Sequence, residues 1–402
     1  MKQVALVLYN LWFFIFIGSL SSHISHAQVA DFVKIKKNIK GSKLVSNPAY
    51  TTLKSTINGN FIYTTPSKSG ASKRIIHRFN TTTEMMDSIV IERSKKNEIF
   101  FNDRILSMTI VASKFVFLGS NYLFVFEESE KNELKYVYSI KNDYGFMNCQ
   151  KLGGNLFLQV AYNYHPVDYK HTNVWAILNL EKGIVEKTHF LTDDNNALFG
   201  FLVNQWVSVH SNKICYAHTD EYFITIHDEN FNQIDQIKTN EFNENKSTVN
   251  RIKANFNYSK DYFVKMRGID EDSLTRIRKV FFLKEDLILA LIKMAGKDQI
   301  RADYWLKQDH GWQLAFQDSS TIWFQEGVEY SLTKNTYSDF YQNVFDLIYA
   351  ENNKFYLPYF PYIPTIATDK FDRERDYYDK QNYAIETNET YLGIKEIGLN
   401  QF

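Results

Sequence analysis

Cysteine, proline and glycine are all scarce in this chain of 402 residues, which holds 2, 6 and 16 of them. So few cysteines exclude a disulfide scaffold, although Cys149 and Cys215 leave open one bridge or two free thiols. The shortage of proline and glycine excludes collagen-like and low-complexity chains. Excess charge is lacking as well. Lys plus Arg and Asp plus Glu each number 46, so no global field favours nucleic acid or an acidic polymer. The strings G-x-S-x-G, H-E-x-x-H and C-x-x-C do not occur, nor does a glycine-rich phosphate loop. The run Asp193-Asp194-Asn195-Asn196 lacks the alternating ligands and closing Glu of an EF-hand and reads as a solvated turn.

What is present starts at the N-terminus. Met1 and Lys2 precede an uncharged apolar stretch over residues 4–20, and Ser25-His26-Ala27 forms a small-x-small exit before Gln28. These three parts predict a cleavable secretory signal at 1–27 and a mature chain at 28–402. Neither cysteine lies at the cleavage point, which argues against a lipoprotein. The best later apolar run, 287–292, is too short to span a bilayer and is flanked by Asp286 and Lys293. The expected product is soluble, in the periplasm or the medium, with no membrane span after cleavage.

Aromatic residues make up 16% of the chain, with 26 Tyr and 32 Phe, ample material for a large core. Short apolar runs recur between Asn, Asp, Gly and Ser clusters without a sustained helical period, the pattern of many antiparallel strands. The clearest unit runs Trp206-Val207-Ser208-Val209, Lys213-Ile214-Cys215-Tyr216-Ala217, then strands at 222–227 and 231–237. With Phe79, Phe126, Leu178 and His227 as equivalent third-strand positions, the unit recurs about every fifty residues, as β-propeller blades do. Leu306 and Ile385 continue the series after insertions at 240–279, with a helix-like stretch at 270–278, and at 358–381. Residues 31–35 supply a candidate strand to complete the last blade. The expectation is a single all-β domain, a six-bladed β-propeller, with a seven-bladed propeller or paired β-sandwiches as alternatives. An outer-membrane barrel fails because Asn400, Gly398 and Glu396 occupy alternate positions before Phe402.

The hairpins Asn179-Leu180-Glu181-Lys182-Gly183 and His227-Asp228-Glu229-Asn230 carry a resemblance. Their repeat style is similar to secreted TolB-like six-bladed propellers, including domain-of-unknown-function families from Bacteroidetes, over residues 58–402. The resemblance implies a fold and brings no catalytic motif.

Two segments are chemically richer than a blade hairpin needs. Residues 161–171 hold Tyr162, Tyr164, His165, Tyr169 and His171, suited to stacking on a sugar or aromatic ligand, or to a metal through the two histidines. The plainer alternative is a lengthened hairpin whose tyrosines pack on neighbouring blades. The second segment, stiffened by Pro358, Pro361 and Pro364, carries Tyr359, Tyr362, Arg373 and Tyr377. It reads as a partner-binding surface or as a cap with self-neutralising ion pairs. The preferred function is a non-enzymatic protein that binds an envelope protein, a peptide or a glycan. The alternative is a metal-dependent hydrolase or lyase with its site, and an ion such as calcium, in the central channel. No metal ligand or cofactor is identified from the sequence.

Overall fold

The computed structural model describes residues 33–43, 53–66, 72–129, 133–164, 171–191, 207–218, 221–242, 275–294, 300–318, 349–351, 354–359 and 391–399. The first strand is β1 (Val33–Lys43). A first sheet follows, made of β2 (Leu53–Asn58), β3 (Phe61–Pro66), β4 (Lys73–Asn80) and β5 (Met86–Glu92). A short helix, α1 (Glu98–Asn102), leads into β6 (Ile105–Val111), β7 (Lys114–Gly119), β8 (Tyr122–Glu128) and β9 (Leu134–Lys141). The third sheet holds β10 (Asn148–Leu152), β11 (Asn155–Tyr164), β12 (His171–Asn179) and β13 (Ile184–Leu191). The fourth holds β14 (Val207–His210), β15 (Lys213–Ala217), β16 (Phe223–His227) and β17 (Gln233–Lys238). The fifth holds β18 (Arg276–Lys284), β19 (Leu287–Lys293), β20 (Ile300–Gln308) and β21 (Gly311–Asp318).

The last strands, β22 (Tyr349–Glu351), β23 (Lys354–Tyr359) and β24 (Tyr391–Leu399), need a fourth. It is β1, paired antiparallel to β24 from Val33↔Leu399 to Lys43↔Tyr391. Within every sheet the strands lie in chain order apart from this closure. First strands meet first strands: β2 packs on β6, β6 on β10, β10 on β14, β14 on β18, and β18 on β22. The sheets therefore stand radially with their first strands innermost, which is a β-propeller.

Strand composition follows from radial position. The middle strands β7 and β8 are buried on both faces through the runs 115–119 and 123–126, because a neighbouring sheet covers each face. The outer β9 alternates instead, since one face meets solvent. Between the first two sheets, α1 inserts Phe100 and Phe101 into an aromatic core. Phe100 lies 4.8–5.4 Å from the rings of Phe101, Phe117, Phe124 and Phe126 in tilted or edge-on contacts. The buried Arg74 sets its guanidinium 4.6 Å over Phe100 and donates to the carbonyls of Phe100 and Asp103. Burial lowers its pKa to about 10.

An innermost strand has one edge without a strand partner, and side chains from the preceding sheet occupy it. Gln150 on β10 donates to the Val207 carbonyl (2.8 Å) and accepts from the Val209 N–H (3.0 Å) of β14. Ser107 on β6 accepts from the Cys149 N–H of β10, and Ser208 on β14 accepts from the Phe282 N–H of β18. Polar residues on first strands thus replace ladder hydrogen bonds between sheets.

The third and fourth strands share an irregularity. One extra residue interrupts the outer strand opposite Phe126, Leu178, His227, Trp305 and Ile397. Only the first sheet keeps unbroken register at this level, from Lys73↔Glu92 to Phe79↔Met86. The position equivalent to Phe126, Leu178 and His227 is therefore Trp305, one residue before the expected Leu306. In the sixth sheet it is Ile397, whereas Ile385 falls outside the described residues. The expected helical stretch at 270–278 is also corrected, because Arg276 and Ile277 already pair with Lys293 and Ile292. The alternation of Ile277 with Val280 and Phe282 into the core favours the strand there. Cys149 and Cys215 are both free and buried.

Candidate functional site

Strand direction sorts the connections onto two faces. On one face lie the first-to-second turns 59–60, 112–113, 153–154, 211–212 and 285–286, and β22 and β23 bracket 352–353 there. The third-to-fourth turns 81–85, 180–183, 228–232 and 309–310 share that face, as do the ends of β8 and β9. These turns are tight enough that Ala112 and Ser113 adopt left-handed φ values of 47° and 62°, as a two-residue hairpin requires. At the opposite face the strands bracket 165–170, 192–206, 239–275, 319–348 and 360–390. Every long connection between the described strands leaves from this second face.

The residues singled out from sequence divide accordingly. Tyr162 and Tyr164 belong to β11 and His171 to β12, with Tyr164 and His171 opposite one another in the ladder. They are hairpin strand residues, not loop residues, because the β11–β12 pairing extends past an irregularity between Val160 and Asn163. Tyr359 ends β23, paired with Gly393. His165, Tyr169, Tyr362, Arg373 and Tyr377 lie outside the described residues. Both candidate segments are second-to-third connections, so their flanking strands end on the same face.

Beneath that face a buried polar cluster joins the fourth and fifth sheets. Tyr222, just before β16, donates its hydroxyl to Asp303 Oδ2 (2.7 Å) and accepts from Trp305 Nε1 (2.7 Å). Arg301 holds Asp303 through Nη2 (2.8 Å) and bridges to Glu241. Desolvation raises the Asp303 carboxyl above the usual range although Arg301 opposes it, and raises the Tyr222 phenol well above its ordinary value. Burial works against the Arg301 charge, but Asp303 and Glu241 outweigh it, so its pKa rises. The Tyr222 hydroxyl has both its donor and its acceptor engaged. Its chemistry is that of an anchor for the root of the segment after β17, where Phe242 packs on its ring at 5.2 Å.

A second anchor on the same face is Asp103. Its carboxylate accepts from the N–H groups of Asn121 (2.9 Å) and Tyr122 (3.0 Å), tying the β7–β8 turn. Gly119 permits this approach, since a Cβ there would stand 2.4 Å from Asp103 Oδ2.

The seam between the third and fourth sheets contains histidines. His227 is buried, its Nδ1 donating to the Phe231 carbonyl (3.2 Å) and its Nε2 accepting from Thr225 Oγ1 (3.0 Å). Trp175 meets the imidazole edge-on at 5.0 Å, and among the described residues its own Nε1 has no hydrogen-bond partner. His189 stacks on Phe231, and His218 stacks on Phe223 at 4.4 Å. Burial pushes His227 below the ordinary histidine value of 6.5, the Phe231 carbonyl opposing and His189 and His218 reinforcing the effect.

Among the described residues no group of three or more His, Cys, Asp or Glu is placed to hold a metal ion. Among the same residues no helix is long and apolar enough to cross a membrane. None of these clusters was legible in the sequence. Tyr222 and Asp303, or Trp175 and His227, are far apart along the chain and share no local motif.

No protein-family profile matches the chain, and no curated protein is similar to it in sequence. Solved structures do match. A Bacteroides fragilis protein predicted to be exported aligns over 93% of this chain and 97% of its own, with 10% identity and a TM-score of 0.51. A member of the DUF4221 family from Bacteroides vulgatus aligns over 92% and 99%, with 9% identity and a TM-score of 0.49. The WD40 domain of coronin from Toxoplasma gondii aligns over 93% and 89%, with 8% identity and a TM-score of 0.43. Identities this low speak to fold and not to chemistry. The all-β propeller is read from this chain's own sheets, and the Bacteroides fragilis structure shares its fold.

Proposed function

We propose that the chain is an exported six-bladed propeller that binds an extracytoplasmic protein, peptide or glycan on the face carrying its long connections. The observation behind this reading is the asymmetry of connection length. A scaffold needing only stability would keep both faces short, as it keeps the hairpin face. Long connections grafted on rigid strand ends are where folds of this kind place recognition. Tyr162, Tyr164, His165, Tyr169 and His171 on one connection join Tyr359, Tyr362, Arg373 and Tyr377 on another as the proposed contacts. Export is supported by the N-terminal segment 1–27 and is in keeping with the Bacteroides fragilis neighbour.

The test uses the chain from Gln28 onward to capture proteins and glycans from an envelope fraction. Replacing 165–170 by Asn-Gly is expected to abolish specific capture, while Asn60→Asp and Glu229→Gln on the opposite face leave it intact. Equal capture by all variants, or none by the parent chain, overturns the reading. Metal analysis of the same preparation separates it from the hydrolase or lyase alternative, which requires a stoichiometric ion such as calcium.

A further inference from the structure

We propose that the seam between the third and fourth sheets is an acid-sensitive joint, with His227 as the group whose protonation loosens it. The seam is made by Phe157, Trp175 and Ile177 from one sheet and Val207, Ile214, Tyr216 and Phe231 from the other. His227 sits inside this apolar joint with both ring nitrogens engaged, in a pattern that suits the neutral ring. Nδ1 donates to a carbonyl that only accepts, and Nε2 accepts from the Thr225 hydroxyl. A second ring proton on Nε2 would face that hydroxyl proton, so Thr225 must turn and accept where it now donates.

The surroundings offer the new charge little compensation. From β13 the charge of His189 acts on it, and from just after β15 that of His218; Lys187 on β13 bonds to Asn230 of the next hairpin. From β12 it meets the Trp175 ring. The acid nearby, Asp228, already accepts from the Asn230 N–H (2.8 Å), the Asn232 N–H (2.9 Å) and the Asn232 side chain (3.0 Å) on the exposed hairpin. Burial disfavours the charged imidazole, and a proton taken up here is accommodated by opening the seam.

The molecule supplies its own control, because the second sheet, residues 105–141, contains no histidine. Hydrogen exchange on the full chain at pH 7.5 and 5.0, corrected for intrinsic rates, is expected to show at least tenfold lost protection in β12 and β14–β16 relative to β6–β9. His227→Gln, which retains a neutral polar side chain, is expected to remove that excess while leaving protection at pH 7.5 unchanged. Equal losses in both sheets, or a variant with an undiminished acid response, overturn the proposal. If the variant fails to fold, NMR titration of the His227 ring in the parent chain decides. A midpoint at or above 6.5 overturns the proposal, and a midpoint well below it supports the proposal.

Discussion

Gln150 shows how one side chain completes a sheet edge. Its amide substitutes for a neighbouring strand at Val207 and Val209, so Gln150→Leu leaves a carbonyl and an N–H without partners at the inner edge. The expected cost is about 1–3 kcal/mol, read from the midpoint of urea unfolding; an unchanged midpoint would show that water replaces the amide. Gly119→Ala is expected to lower the melting temperature, because the added methyl collides with Asp103 Oδ2 and crowds the Tyr122 carbonyl 2.9 Å away. The two thiols give a third test. Burial pushes Cys149 up to about 12 and Cys215 further, and both are shielded from reagents. The native protein should resist a thiol reagent for hours and release two equivalents on denaturation. Histidine sets the pH dependence. His77, His210 and His227 all lie below their ordinary value through burial. Above about 6.5 both folded and unfolded chains carry them neutral, and no pH dependence arises from them. Below it the unfolded chain binds protons first, so stability is lost as the pH falls toward the folded-state values.

Among the elements, α1 does more packing than its length suggests. Its Phe100 contacts four rings and the Arg74 guanidinium, so Phe100→Ala is expected to cost about 3–5 kcal/mol by calorimetry or denaturant. The outer strands carry the repeated bulge, and its extra residue is exposed and apolar at Val137 and Ile234. Such bulges bend an open edge away from pairing with another chain. Val137→Ser should therefore be nearly neutral for stability, whereas deleting Val137 leaves Tyr138 opposite Val125 and Tyr136 opposite Phe126 but straightens the edge, so the deletion variant should self-associate more at high concentration. Light scattering no different from the parent chain would show that the bulge does not guard the edge.

At the scale of the whole molecule, β1 joins the two ends of the described chain in one sheet. Starting the chain after Lys43 should lower the melting temperature and expose β24 to protease, and an unaltered melt would deny β1 a closing role. The blades were legible in the sequence because apolar runs and polar turns are local and repeat about every fifty residues. Inner strands such as β10 were not, since Asn148-Cys149-Gln150-Lys151-Leu152 has no alternation and is held by side chains reaching across the seam. By itself the sequence determined the strand content, the unit and the two chemically rich segments, all of which depend on near neighbours along the chain. Only the tertiary structure decided that both segments leave from one face, that the thiols stay apart, and that Tyr222 meets Asp303 and His227 meets Trp175. Those facts depend on strand direction, register and closeness through space, which no local pattern encodes.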